Sequence, residues 1–186
     1  MPRDPLSPTA AEVVTIERSG RRVGAARLRA LAAELLDASE LCAIATASRT
    51  PKPHVNTAYF AWAPDLRLVW ISEPGATHSR NLRANASAAV AVYDSGQSWG
   101  EPDRGIQVFG AARELAGAPA DDAAAVYARR FPAYRPEQLA AYRCYELRPR
   151  RVKLFHEPAL GPGVFVTARV DRTGALMWER TEVYRR

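Results

Sequence analysis

Thr77-His78-Ser79-Arg80-Asn81-Leu82-Arg83-Ala84-Asn85 runs almost directly into the apolar stretch Ala88-Ala89-Val90-Ala91-Val92-Tyr93. The first stretch reads as a short helix and the second as a buried strand, and this join decides how the chain is read. Pro74-Gly75 supplies the turn ahead of the helix. Thr77 stands where an N-cap is needed, because a hydroxyl can accept one of the backbone N–H groups left over in the first turn. A helix start carrying Thr, His, Ser and Arg also suits an anion, since free amides, the dipole's positive end and a guanidinium meet there. A capped surface helix with solvated charges explains the same residues, and both readings stand open at this point.

Outward from that join, the neighbours read as strands. Leu41 to Ser48 is apolar and ends at Arg49-Thr50-Pro51-Lys52-Pro53. His54 to Ala63 follows, turning at Pro64-Asp65 into Leu66 to Ser72. Ala88 to Asp94 is the fourth strand. A polar loop from Ser95 to Arg104 carries Trp99, and Gly105 to Leu115 is the fifth. These short connections predict a largely antiparallel sheet, which covers its edges by closing or half-closing. Ahead of the sheet, Leu28, Leu31, Ala32, Leu35 and Leu36 share one face of a helix running from Ala25 to about Ser39. Behind it come a helix over Ala120 to Phe131 stopped by Pro132, a short helix over Pro136 to Tyr142, and a sixth strand over Tyr145 to Phe155. A hairpin of Val164 to Val170 and Leu176 to Val183 ends the pattern. Residues 1–23 read as a flexible segment, with a small hairpin of Val13 to Arg18 against Arg21 to Val23. Residues 24–186 read as one domain.

Composition bounds the rest. At 186 residues the chain is long enough for one sizeable core. No apolar run is long enough to span a membrane, and the N-terminus has no signal-peptide core, so a cytoplasmic protein is expected. Cys42 and Cys144 make no disulfide framework. Neither has partners at metal-ligand spacing, so no metal is expected. The formal charge of +6 comes almost wholly from arginine, Lys52 and Lys153 being the only lysines. The one tight basic cluster is Arg148-Pro149-Arg150-Arg151, which leaves nucleic acid a minor reading beside an anionic small molecule.

The order of elements, with the stretches PHVNTAYFAW, RLVWIS, THSRNLRANASAAVAVYD and RGIQVFGAARE, resembles the FMN-binding split barrels related to pyridoxamine-phosphate oxidase, over about residues 25–157. Tyr127-Ala128-Arg129-Arg130-Phe131-Pro132, Tyr145-Glu146-Leu147 and Val152-Lys153-Leu154 are similar to the YhbP-like branch. The resemblance implies a mainly β fold with flanking helices, an antiparallel split barrel of FMN-binding type. It implies a homodimeric FMN-dependent oxidoreductase acting on a small molecule, with Ala88–Tyr93 and Ile106–Gly110 on the shared surface. It puts Asn56, Thr57, Ala58 and Tyr59 along the flavin, and Ser72, Thr77, His78 and Arg80 around its phosphate, with the His78 imidazolium favoured beside that dianion. Trp99 would cover the ring or anchor its loop, and Gln107 belongs to the family's "Gln-Val-x-Gly" strand. Arg129 or Arg130 would reach the other protomer or simply be solvated.

The chain departs from true pyridoxamine-phosphate oxidases in two ways. Their Arg-Lys pair falls on Thr77 and His78, and their C-terminal arginine–histidine motif has no match after Phe155. Oxidation of vitamin B6 phosphates is therefore not expected. Three alternatives remain at this stage: the deazaflavin F420, welcomed by Arg80, Arg83 and Arg104; haem, with His78 or His54 as axial ligand; and a non-catalytic flavin-binding protein.

Overall fold

In strand β2 (Leu41–Ala47), Cys42, Ile44 and Thr46 are buried while the residues between them are not. That period of two gives the sheet an inner and an outer face. The computed structural model describes residues 15–50, 52–94 and 96–185. The other elements are strand β1 (Thr15–Ser19), helix α1 (Ala25–Asp37), strands β3 (Pro53–Trp62) and β4 (Leu68–Ser72), helix α2 (Thr77–Ala84) and strands β5 (Ser87–Tyr93) and β6 (Arg104–Glu114). Helix α3 (Ala118–Arg130), a 3-10 turn over Pro136–Leu139, strand β7 (Arg143–His156), helix α4 (Glu157–Leu160) and strands β8 (Val164–Val170) and β9 (Leu176–Arg185) complete the chain.

Strands β7, β4, β3, β2, β5 and β6 lie side by side, every pair antiparallel, and β6 pairs back onto β7. The result is a closed six-stranded barrel with flanking helices, a mainly β split barrel as expected. β7 is long enough to serve twice. Its first half, Arg143–Leu147, pairs with β4, and its second half, Arg151–Phe155, pairs with β8. Beyond β8 the sheet continues through β9 to β1.

The barrel is filled by inward residues such as Ile44, Phe60, Trp70, Val90, Ile106, Val108, Tyr145 and Leu154. Trp70 and Tyr145 are cross-strand partners with stacked rings 5.7 Å apart. The stripe Leu28, Leu31, Ala32, Leu35 and Leu36 of α1 joins the same core. α3 covers the outer side of β3 and β4 through Ala123, Val126 and Tyr127 against Ala61, Ala63 and Val69. Cys42 is a free core thiol, with its pKa pushed up to about 12 chiefly by burial. Among the described residues no helix is long and apolar enough to cross a membrane, and no group of three metal-ligating side chains occurs.

Some boundaries differ from expectation. The hairpin of 13–18 against 21–23 does not form over its described part. Thr15–Ser19 pairs instead with β9, and the Thr181 hydroxyl donates to the Arg21 carbonyl at 2.7 Å, drawing the segment that way. α3 begins two residues earlier, because Pro119 in its first turn lacks only an N–H that the helix does not use there. α4 was not anticipated. It is a single turn whose start is capped by His156, with Nδ1 accepting from the Ala159 amide and Nε2 facing Glu34 at 2.8 Å.

Candidate functional site

α2 is fastened to the barrel on the side that faces it. The Ser79 hydroxyl donates to the Glu73 carbonyl at 2.8 Å, and the Asn81 amide donates to the Thr46 hydroxyl of β2 at 3.1 Å. Arg83 bonds the Pro74 carbonyl and the Glu114 carboxylate. His78, Ser79, Asn81 and Leu82 are buried by this docking, while Thr77 and Arg80 stay exposed.

The N-cap is Ala76, not Thr77, and no side chain caps the helix. Thr77 has already entered the helix, where its hydroxyl accepts from the Arg80 guanidinium at 3.1 Å. The same guanidinium also donates to the Gly75 carbonyl. The first helical turn therefore offers amides without a side-chain cap, a hydroxyl and a cation at the surface, which is the chemistry of an oxyanion site. Ser72, half-buried, ends β4 just before this turn.

His78 departs from the solvated helix-start histidine. It is only 5 % exposed, it meets Tyr145 edge-on at 6.1 Å, and its Nε2 is buried without a hydrogen-bond partner. Burial first, and the nearby His54 second, hold its pKa below the ordinary histidine value. In the chain alone the neutral imidazole is favoured, opposite to the imidazolium expected beside a dianion. The stacked pair Trp70 and Tyr145 beneath it belonged to quoted motifs, yet neither ring signalled a part in the site.

On β3 the alternation divides the four candidates. Asn56 and Ala58 turn inward, opposite Ile44 and Cys42. The Asn56 side chain makes only a long 3.4 Å contact to the Thr57 carbonyl, and its Oδ1 is buried without a partner. Thr57 and Tyr59 turn outward and are exposed, Tyr59 resting edge-on against Phe131. The first half of β3 has no β4 partner, since their pairing covers only Phe60–Trp62. The edge beside Asn56 and Thr57 thus has open backbone groups.

The structure brings Ser72, Thr77, His78 and Arg80 together around one turn, with His54 close enough to His78 to act on its charge. It does not bring Gln107 or Trp99 there. Gln107 faces outward on β6, three strands from Asn56, or roughly 14 Å at ordinary strand spacing. Trp99 is fully exposed, so it is not an anchor packed on the barrel. Arg130 is held within its own chain, donating to the Leu36 and Ser39 carbonyls and lying 4.6 Å over Phe60, whereas Arg129 is exposed.

A family model described as pyridoxamine 5'-phosphate oxidase matches residues 28–156. Comparison with curated proteins gives no match. Among solved structures, a protein of unknown function from Agrobacterium tumefaciens aligns at 23 % identity and TM-score 0.55, covering 63 % of this chain and 51 % of that one. A heme binding protein from Mycobacterium smegmatis aligns at 19 % identity and TM-score 0.64, covering 83 % and 61 %. A pyridoxamine 5'-phosphate oxidase-related, FMN binding protein from Nostoc punctiforme aligns at 11 % identity and TM-score 0.63, covering 85 % and 98 %. The chain thus spans between half and two thirds of the length of the first two. At such identities the likeness speaks for the shared fold alone.

Proposed function

The chain belongs to the pyridoxamine 5'-phosphate oxidase family, and from that premise we propose that it binds FMN as a cytoplasmic homodimeric oxidoreductase acting on a small molecule other than a vitamin B6 phosphate. The observation that carries this reading is the N-terminal turn of α2, uncapped by any side chain and flanked by the Thr77 hydroxyl and the Arg80 guanidinium. These groups fit a phosphate. Arg80 and Thr77 would hold it, with Ser72 beside them. The open edge of β3 at Asn56 and Thr57 offers backbone groups to the polar rim of the ring, and the unpartnered Asn56 Oδ1 asks for a donor. A bound flavin supplies the redox chemistry itself, and the chain's residues bind it, orient it and keep water away.

The outer barrel face supports the dimer in this reading. Ala43 and Ala45 of β2 lie opposite Ala89 and Ala91 of β5, a flat field of small side chains. Exposed Val55, Tyr59, Tyr93 and Phe109 lie on the neighbouring positions. A second copy seated there would carry Gln107 and Trp99 toward a site that they do not approach within one chain.

A specific observation also favours haem. A buried, neutral imidazole with a free Nε2, as at His78, is what an axial ligand requires. Titrating the purified full chain with FMN, F420 and hemin in parallel, followed by absorbance, separates the readings. FMN saturating at one per chain is the expected outcome. A clear preference for hemin or F420 overturns it. Reduction of the bound flavin by NADH or NADPH, with transfer onward to an acceptor, would set aside a purely flavin-carrying role.

A further inference from the structure

A cleft of about 630 Å³ opens where β7 leaves the barrel, and it shares no lining residue with Asn56–Tyr59, Ser72 or Thr77–Arg80. Five arginines line it against three carboxylates. Each carboxylate already faces donors or a cation of the chain, Glu146 through Oε1, while its Oε2 is buried without a hydrogen-bond partner 3.8 Å from Arg67. Asp171 accepts from the Thr173 and Ala175 amides and the Thr173 hydroxyl, closing its own turn. Asp65 faces Arg67. Glu146, only 1 % exposed, accepts on Oε1 from Arg113 Nε at 3.0 Å and from Arg148 Nε at 2.9 Å. Arg150 and Arg172 are left exposed with no ion pair among the described residues.

The positive excess is also built rather than scattered. Glu146 grips Arg148 by its Nε, leaving that guanidinium's terminal nitrogens uncommitted. The β8–β9 turn that carries Arg172 is seated on the β3–β4 turn. There a Cβ on Gly174, at φ +83°, would lie 2.5 Å from the Asp65 Cα. That contact fixes where Arg172 stands relative to Arg148 and Arg150. The basic run read from the sequence is divided here: Arg148 and Arg150 line the cleft, while Arg151 pairs with Glu179 at 3.0 Å on the other face. The cleft's volume suits a metabolite, and its unpaired guanidiniums suit an oxyanion.

We propose that this cleft binds a small metabolite through a phosphate or carboxylate group, held by Arg148, Arg150 and Arg172, at a site separate from the α2 turn. The test is a titration of the isotope-labelled full chain with inorganic phosphate and with citrate, at ionic strength held constant with chloride, read by amide chemical shifts. Saturable shifts confined to Ala111–Arg113, Arg148–Arg150 and Asp171–Thr173 are expected, and whichever probe binds more tightly names the preferred group. The double variant Arg150→Gln, Arg172→Gln changes only exposed side chains. It should weaken binding roughly tenfold for each guanidinium lost, while Arg49→Gln, a single charge removed outside the cleft, leaves it as it was. FMN titration of the double variant should match the unaltered chain, so this site and the cofactor reading fail or stand independently. Non-saturable or delocalised shifts with both probes overturn the proposal, as does a double variant that binds like the unaltered chain.

Discussion

Replacing His78 with leucine should not harm the free protein. The ring is buried, and its Nε2 lacks a partner. Such an orphan donor or acceptor costs about 1–3 kcal/mol, which an apolar side chain avoids. Against this stands the edge-on contact with Tyr145 at 6.1 Å, worth about 0.5–1.5 kcal/mol. The balance is about 1 kcal/mol in favour of leucine, or about 2–4 °C in melting temperature for a chain of this size. The balance also depends on pH, with a definite sign. Burial holds the folded His78 pKa below its unfolded value. As pH falls through about 6.5 the unfolded chain takes up a proton that the folded chain resists. The unaltered protein therefore loses stability over that interval, levelling off below the folded pKa, and the leucine variant lacks this loss. Urea melts of both proteins at about pH 7.5 and about pH 5.5 should show the variant's advantage growing at the lower pH. A variant less stable by more than about 2 kcal/mol at the higher pH, or an advantage that does not change with pH, would refute the account of His78 as a neutral, unsatisfied group. The same variant discriminates cofactors, because haem needs the ring nitrogen and a flavin phosphate held by Thr77 and Arg80 does not.

Three further outcomes are expected. Arg80→Ala should weaken FMN roughly tenfold to hundredfold, the value of one charge-assisted hydrogen bond, and leave riboflavin unchanged; equal loss for both ligands in parallel titrations removes the phosphate from α2. Gly110→Ala should cost about 3 kcal/mol or more in denaturant melts, because its Cβ would lie 2.1 Å from the Arg148 carbonyl oxygen and neither backbone can yield cheaply; a cost under about 1 kcal/mol would mean that β6 and β7 are not in this register. Glu146→Gln should cost about 2–3 kcal/mol at neutral pH, below the usual figure for a broken buried pair since Arg113 and Arg148 are more than half exposed. Burial raises the Glu146 pKa, but hydrogen bonds from Arg148 and Arg113 outweigh it and hold the pKa below the ordinary value. Its contribution is thus present above about 4.5 and lost as pH falls through the folded value, so the difference between the two proteins should shrink in acid.

The barrel was legible because its strands alternate and its connections are short. Leu41–Ala47 and Ser87–Tyr93 put every second residue in the core, and the α1 stripe Leu28, Leu31, Ala32, Leu35, Leu36 is buried as its spacing requires. The family was legible from the order of motifs, although its finer branch is not reached by the family match. Long-range pairing was not legible. Nothing local in Thr15–Ser19 says that it will meet residues at the other end of the chain. The four-residue α4 is too short to leave a period. In the site, composition disclosed a helix start fit for an anion, but which side chains face the barrel depends on how α2 docks. The docking bonds, Asn81 to Thr46 and Ser79 to Glu73, join residues 35 and 6 positions apart. They turn His78 inward and leave Thr77 and Arg80 outside.

A single feature of β7 accounts for both the split in the barrel and the arginine cleft. A strand of fourteen residues is more than a small barrel can pair on both edges. β4 accompanies it only to Leu147, and β8 takes over from Arg151. Between them lies Arg148-Pro149-Arg150, where the ladder with β6 slips by one residue opposite Gly110. Pro149 has no N–H to give, so a break in pairing is least costly there. Gly110 has no Cβ to obstruct the close approach of the Arg148 carbonyl. The gap left as β8 swings away from β4 is the cleft, and the residues flanking the proline are the ones that line it. The α2 turn stands outside that gap, at the end of β4. The barrel can therefore change either site without rebuilding the other. A substitution at Pro149 or Gly110 should disturb the cleft and the strand register together, while leaving the Thr77–Arg80 turn intact.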